Sequence, residues 1–455
     1  MTVLASSALA LACFTSVVAA TAPQGASQNA SPNVPPTRSA KAEAAMRAID
    51  AAALEASVRR LEGFGTRHSF SSTTDPARGI GAARRWLLAE LEAAAATSEG
   101  RMTVTSETHE VGVRDGQKAR FTNLIATCKG SAASDRVYVF SGHYDSRATG
   151  RNDTTSDAPG ANDDGSGTAV IVELARALAK LELRSTVRLV CYDGEELGLL
   201  GSRADAKALE EAEAVIDGMV TLDIVGNTRA ADGRVERSYV RVFSYQEGSR
   251  DSNGRNLARS LSDVAQRYFG SDFAVKLILR GDRYGRGGDH RPFAEAGYPA
   301  VRMTEPFEDF SRQHKDKIDK DGKPYGDYAD YMDFEYLTRV ARLTAALAVE
   351  VADAPPPPPA PRVAGTPTLD TVVTWRISDV AAEVAGFEVL WRDTRAADWT
   401  DRRFVDRDAA RDGSYRVQLG GVLVDDVVIG LRSVGRDGAR SRSVSAPEPG
   451  ALQRR

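Results

Sequence analysis

Apolar residues recur at helical spacing over about 41–62 and again over about 79–95, where Ile80, Ala83, Leu87 and Leu91 fall on one face. Gly63-Phe64-Gly65-Thr66-Arg67-His68 forms a glycine-punctuated loop between them. From there the period shortens. Runs of β-branched and apolar residues predict strands near 103–112, 121–128 and 136–142, a helix near 167–181, and strands at 186–192 and 218–224. A helix near 252–269, strands near 274–279 and 299–303, and a closing helix near 333–351 complete the series. Strands alternating with helices at this spacing predict an α/β fold, a mixed, largely parallel twisted sheet flanked by helices. Ligands of such sheets bind beyond the carboxyl ends of the strands. Acidic residues and histidines cluster there, immediately after 136–142, 186–192 and 218–224.

The run Pro355 to Pro359 is stiff and extended and cannot belong to a packed helix or central strand, so 353–361 reads as a linker. Beyond it, Val372 to Trp375, Gly386 to Trp391, Tyr415 to Leu419 and Val427 to Val434 are short alternating segments separated by turn residues. They predict a small all-β sandwich over 362–446, followed by a tail at 447–455. With Trp375 on an early strand and the closing Leu431 to Gly438 segment, this part resembles a fibronectin type III domain. It holds no cluster of potential ligands, so a binding or spacing role, toward a surface or a polymer, is expected of it.

At the other end, residues 1–20 carry no charge and finish in small residues such as Val18-Ala19-Ala20, which suit signal peptidase. The segment is expected to be a signal peptide that directs export to the periplasm or the extracellular space, although it lacks the usual basic start. Ala, Ser and Thr dilute it too much for stable membrane insertion. Residues 21–40 read as a flexible tail, which leaves 41–352 for the main domain.

The chain has 455 residues, 42% of them apolar and 27% charged, an ordinary globular composition with room for a large core. Its net charge of −4, with both signs interspersed, leaves no basic stripe for nucleic acid. Removal of the leader would leave two of the three cysteines, Cys128 and Cys191, each in an apolar run. Two buried free thiols fit better than a disulfide framework, which would need many more cysteines.

Four segments and one late histidine carry the chemistry. His143-Tyr144-Asp145 follows a strand, and a histidine there can bind a metal through one ring nitrogen while a nearby carboxylate fixes the ring; alone such a pattern is more often a surface turn. Gly160 to Gly167, reading GANDDGSG, opens a helix whose free N–H groups can hold an acidic side chain, or simply caps that helix. Asp193-Gly194-Glu195-Glu196 leaves a buried strand, and adjacent glutamates there repel one another unless a metal or a proton-transfer role accounts for them. Asp223 ends a further strand, and His314 lies in a late loop of a chain that has only five histidines.

This ordered set, HxD, NDDGSG, EELG with the trailing Gly201-Ser202, LD and a late His, resembles the M28 zinc aminopeptidases of the secreted bacterial type across about 60–350. The resemblance implies the zinc-dependent exopeptidase fold and two zinc ions bound by His143, Asp163, Glu196, Asp223 and His314, with Asp163 bridging. It implies Glu195 as the base that takes a proton from the attacking water and hands it to the departing amine, with Asp145 orienting His143. The substrates implied are peptides or proteins with a free N-terminus. Gly288-Asp289-His290-Arg291-Pro292-Phe293 resembles a family segment expected to scaffold the substrate pocket. Family members often place Tyr before the last His; this chain has Gln313, with Tyr325, Tyr328 and Tyr331 as candidates to replace it. The long segment after His314 is expected to shape substrate access. Glutaminyl cyclases share the fold and much of the pattern but use one zinc, carboxypeptidases occur in the same family, and receptor-like relatives bind without catalysis. The intact Asn162 to Gly167 motif and the retention of all six positions favour the two-zinc peptidase.

Overall fold

The computed structural model describes residues 37–112, 118–131, 134–246, 251–316, 318–320, 323–364 and 368–447. The expected signal peptide, most of the tail at 21–40 and nearly all of that at 447–455 lie outside the described residues. The first helix starts inside the predicted tail: Ser39 caps it, and the Ser39 N–H donates to Tyr268 Oη at 2.7 Å.

Two helices stand where one was expected, α1 (Ala40–Ala48) and α2 (Ala51–Glu62). The break has a local cause. Ile49 turns extended with its side chain buried, and the Asp50 carboxylate accepts from Ala52 N and Ala53 N, offering the backbone a cap in place of a continued helix. The chain continues through α3 (Gly79–Ala96), β1 (Met102–Gly112), β2 (Lys118–Cys128), β3 (Arg136–His143), α4 (Gly165–Leu178), β4 (Thr186–Tyr192), α5 (Leu200–Glu211) and β5 (Val215–Leu222). Then come β6 (Tyr239–Ser244), α6 (Asn253–Phe269), β7 (Ala274–Ile278), α7 (His290–Glu295), β8 (Ala300–Thr304), the hairpin β9 (Ile318–Lys320) and β10 (Lys323–Tyr325), and α8 (Phe334–Asp353). The periodicity missed α5, β6, α7 and the hairpin; α5 buries only Gly201, Ser202, Asp205 and Ala206, too few apolar positions to register.

The main sheet has eight strands in the order β1-β2-β4-β3-β5-β8-β6-β7. Its central run β4-β3-β5-β8 is parallel, while β1, β2 and the β6–β8 pairing are antiparallel, so the sheet is mixed as expected. Along β3, Tyr138 and Phe140 face one hydrophobic core with α4 and α8, and Val139 faces a second core that includes Ala206 of α5 and Phe293 of α7. Both faces of the sheet's centre are thus covered, which is why strands such as β3, β5 and β8 are buried almost throughout. Cys128 and Cys191 are free and buried in it, and burial pushes the Cys128 thiol up to about 12. No helix among the described residues is long and apolar enough to cross a membrane.

After the prolines, β11 (Arg362–Ala364), β12 (Thr371–Arg376) and β15 (Ser414–Leu419) form one antiparallel sheet. The strands β13 (Val384–Asp393), β14 (Asp401–Asp406), β16 (Val427–Gly435) and β17 (Val444–Ser445) form the other. Trp375 stacks on Tyr415 at 4.9 Å and meets Phe387 edge-on in their shared core. The C-terminal part docks on the main domain through charge: Asp263 of α6 pairs with Arg402 and Arg432, Asp251 just before α6 with Arg392, and Asp217 of β5 with Arg442. The proline segment is held as well, with Arg136 donating to Ala354 O and Ser433 to Pro356 O.

Candidate metal centre

The parallel register assembles the site. His143 is level with Tyr192 across β3 and β4, and Ser141 with Thr221 across β3 and β5, so the residues leaving three neighbouring strands emerge together. The GANDDGSG segment is pressed into this edge: a Cβ on Gly167 would lie 2.2 Å from Leu222 O, and one on Gly142 would lie 2.6 Å from the backbone of Gly167. Only glycine permits that approach. The Asp164 carboxylate, buried beneath, accepts from Gly167 N, His143 N and Ile224 N, tying α4, β3 and the end of β5 into one block. The Asp163-Asp164 peptide is cis.

All the predicted ligands meet on this block. The two Asp163 oxygens face different histidines: Oδ1 lies 3.3 Å from His143 Nε2, and Oδ2 lies 3.0 Å from His314 Nε2. Asp223 and Glu195 each stand 3.9 Å from His143 Nε2, and Glu196 Oε1 lies 3.0 Å from His314 Nε2. Two trios able to hold an ion result, His143 with Glu195 and Asp223, and Asp163 with Glu196 and His314. His143 Nε2 and Glu196 Oε1 are buried without a well-formed hydrogen bond, as donor atoms awaiting a cation would be. A nitrogen-and-carboxylate set of this kind fits zinc.

Asp145 works from beneath. One oxygen accepts from Glu195 N and the other from Glu196 N, both at 3.2 Å, and Oδ1 lies 3.3 Å from His143 Nδ1. A single carboxylate therefore fixes the glutamate pair and one histidine. Burial pushes the Glu195 carboxyl well above the usual range, with Asp223, Glu196 and Asp289 adding repulsion against the pull of His143. For Asp163 burial acts in the same upward sense, but His143 and His314 outweigh it and hold it well below.

Four supporting residues escaped sequence reasoning. Asp327, from the segment after His314, accepts from Asn162 N and Asp163 N, so that segment reaches under the centre as well as beside it. Arg67 of the glycine-punctuated loop is fully buried and donates to the carbonyls of Tyr144, Pro159 and Gly160. Arg302 of β8 holds Asp223 at 2.8 Å, and Arg147 contacts both Glu196 and His314. In the predicted scaffold segment, Asp289 is buried with its carboxyl pushed up to about 7, chiefly by burial, and His290 bonds Gly281 O away from the ligands. None of the candidate tyrosines lines the pocket above the centre: Tyr328 and Tyr331 edge a separate small cavity, and Tyr325 bonds Ser311.

The sequence profile of Peptidase family M28 matches residues 123–347. A probable zinc metalloprotease of Pyricularia oryzae is 41% identical over 433 residues, covering 90% of this chain and 84% of that protein. One of Leptosphaeria maculans is 39% identical over 442 residues, covering 92% of this chain and 99% of that protein. Both relatives are fungal, and such coverage carries the similarity past the main sheet into the C-terminal sandwich. Among solved structures, the LapA aminopeptidase of Legionella pneumophila superposes with a TM-score of 0.54 at 21% identity, over 74% of this chain and 80% of that one. A glutaminyl cyclase of Fimbriiglobus ruber superposes with a TM-score of 0.50 at 21% identity, over 66% of this chain and 94% of that one. At such identity the likeness is one of fold. With the zinc-type donor set in place and relatives this similar along nearly their whole length, the chain belongs to peptidase family M28 and is a zinc metallopeptidase.

Proposed function

We propose that this metallopeptidase is a two-zinc aminopeptidase in which Glu195 is the general base. The observation that carries the reading is Asp163, whose two oxygens are directed to two different histidines, each with its own further carboxylates. His143 and Asp223 would hold one zinc, Glu196 and His314 the other, and Asp163 both. A one-metal cyclase has no use for the second trio. The ions would supply Lewis acidity toward the scissile carbonyl and the attacking water.

The chain's own residues then divide the work. Glu195 takes the proton of the attacking water and returns that proton to the departing amine. Asp145 keeps Glu195, Glu196 and His143 in register during that exchange. The substrate's free α-amine would sit by the metals, which would restrict cleavage to the N-terminal residue. The two-sheet C-terminal part, with its buried Trp375 and with Tyr415 donating to Arg407 O, is read as fibronectin type III-like. The uncharged leader supports export.

A panel of aminoacyl-p-nitroanilides, assayed with and without chelator and added zinc, tests this reading. Chelator-sensitive release that Glu195→Gln abolishes is the expected result. No release from folded, zinc-loaded protein would overturn it in favour of carboxypeptidase or cyclase chemistry.

A further inference from the structure

The pocket over the centre has a volume of about 870 Å3, and its walls are unusual in charge. Arg147, Arg151, Arg203, Arg283, Arg286 and Arg291 all line it, Leu199 is the one apolar side chain among its described lining residues, and its carboxylates are all ligands or base of the centre. The partners of these arginines show how much of that charge is spent. Arg283 is taken up by Glu308 at 2.7 Å and Asp282 at 3.2 Å. Arg203 and Arg291 share a single carboxylate, Glu295. Arg147 leans on Glu196, itself a ligand of the centre. Arg151 and Arg286 have no carboxylate partner among the described residues; Arg286 is steered over the pocket by Gln313 Oε1 at 3.2 Å and by the ring of Phe310. Two zinc ions would answer the four acids of the centre, which leaves the surplus positive charge to face the substrate.

Guanidinium groups bind carboxylates through paired N–H donors and offer nothing comparable to an ammonium or an aliphatic side chain. An unpaired positive wall also repels lysyl and arginyl substrates. We propose that the pocket selects peptides bearing a carboxylate beside the scissile bond, with Arg151 and Arg286 as the residues that read it. The selection rests on the aminopeptidase reading above and names the substrate class of that same site. Three sources of the carboxylate share this chemistry: the side chain of the N-terminal residue, the side chain of the next residue, and the terminal carboxylate of a dipeptide.

The test compares kcat/KM of the zinc-loaded full chain on matched pairs: Glu-Ala-Ala-amide with Gln-Ala-Ala-amide, Ala-Glu-Ala-amide with Ala-Gln-Ala-amide, and Ala-Ala with Ala-Ala-amide. The acid member of at least one pair is expected to be preferred on the order of tenfold to a hundredfold, as for hydrogen bonds between charged groups. That pair identifies the source. The preference is expected to shrink as salt is raised and in the Arg151→Gln/Arg286→Gln double variant. Calorimetric binding of the same pairs to zinc-loaded Glu195→Gln is expected to repeat the ratio without turnover. Equal hydrolysis within every pair, a preference for Lys-Ala-Ala-amide, or an acid preference unchanged in the double variant would overturn the selection while leaving the aminopeptidase reading intact. Failure to release any N-terminal residue from all of these peptides would overturn both.

Discussion

Two clusters of buried charge sit at different places in this molecule, and they are built on opposite principles. Where the C-terminal sandwich meets α6 and α8, each acid has its arginines: Asp263 contacts Arg267, Arg402 and Arg432, Glu350 contacts Arg267, and Glu388 contacts Arg432 and Arg440. Burial alone would push the Asp263 carboxyl up, but Arg432, Arg267 and Arg402 outweigh it and hold it well below the usual range. At the strand ends, Asp163, Glu195, Glu196 and Asp223 converge with Arg147 and Arg302 as the arginines paired to them among the described residues, and Glu195 is driven well above the usual range. Buried charge by itself therefore marks neither function nor structure. An excess of one sign, left with unbonded atoms pointing at one another, is what marks the site, because a bound cation or a proton is needed to relieve the repulsion.

The largest effect that would break this contrast is at the base. Glu195→Gln is expected to lower turnover by about 10²- to 10⁴-fold while zinc content stays unchanged, as general-base removal does; loss of zinc would instead make Glu195 a ligand. Next, Arg432→Met leaves Asp263 and Glu388 short of a partner in a buried setting, with an expected loss of about 3–5 kcal/mol in urea unfolding. An unchanged midpoint would mean that the sandwich is not integral to the fold. A smaller effect is expected from Asp145→Asn, which weakens the hold on His143 and the glutamate pair: about 10- to 100-fold in zinc affinity by competition with a chelating dye. The smallest concerns acid. The folded Asp263 titrates below the unfolded value of about 3.9, so its contribution is complete above that pH and fades as the pH falls toward the folded value. Chelated protein is thus expected to lose this part of its stability only below about pH 4, and Asp263→Asn to flatten the acid limb of stability against pH.

Much of the centre was legible because its ligands leave strands, and strand ends are marked by where β-branched runs stop. His143, Glu195, Glu196 and Asp223 stand out as candidates on that ground, and the glycines around Asp163 by their close approach to Leu222 O and Gly142, but their roles came from the family resemblance. The supporting groups were not legible for the complementary reason. Arg302 acts on a carboxylate 79 residues away, and Asp327 on a backbone segment 164 residues away, and nothing local announces either pairing. The sandwich teaches the same lesson in reverse. Arg432, Arg440 and Arg442 carry no signal in the sequence beyond membership of the sandwich, yet each is nearly buried against an acid, two of those acids lying on the peptidase side. The single helix expected over 41–62 failed at Ile49 and Asp50, where a cap interrupts a periodicity that continues through it.

The count of zinc per chain tests the account most directly. Inductively coupled plasma mass spectrometry on protein equilibrated with zinc and freed of loosely held metal is expected to give two per chain, falling to about one in His314→Ala, which leaves His143, Asp163 and Asp223 in place. A single zinc in the parent protein, unchanged by His314→Ala, would contradict the two-metal centre and leave the convergence of Asp163, Glu196 and His314 without an explanation.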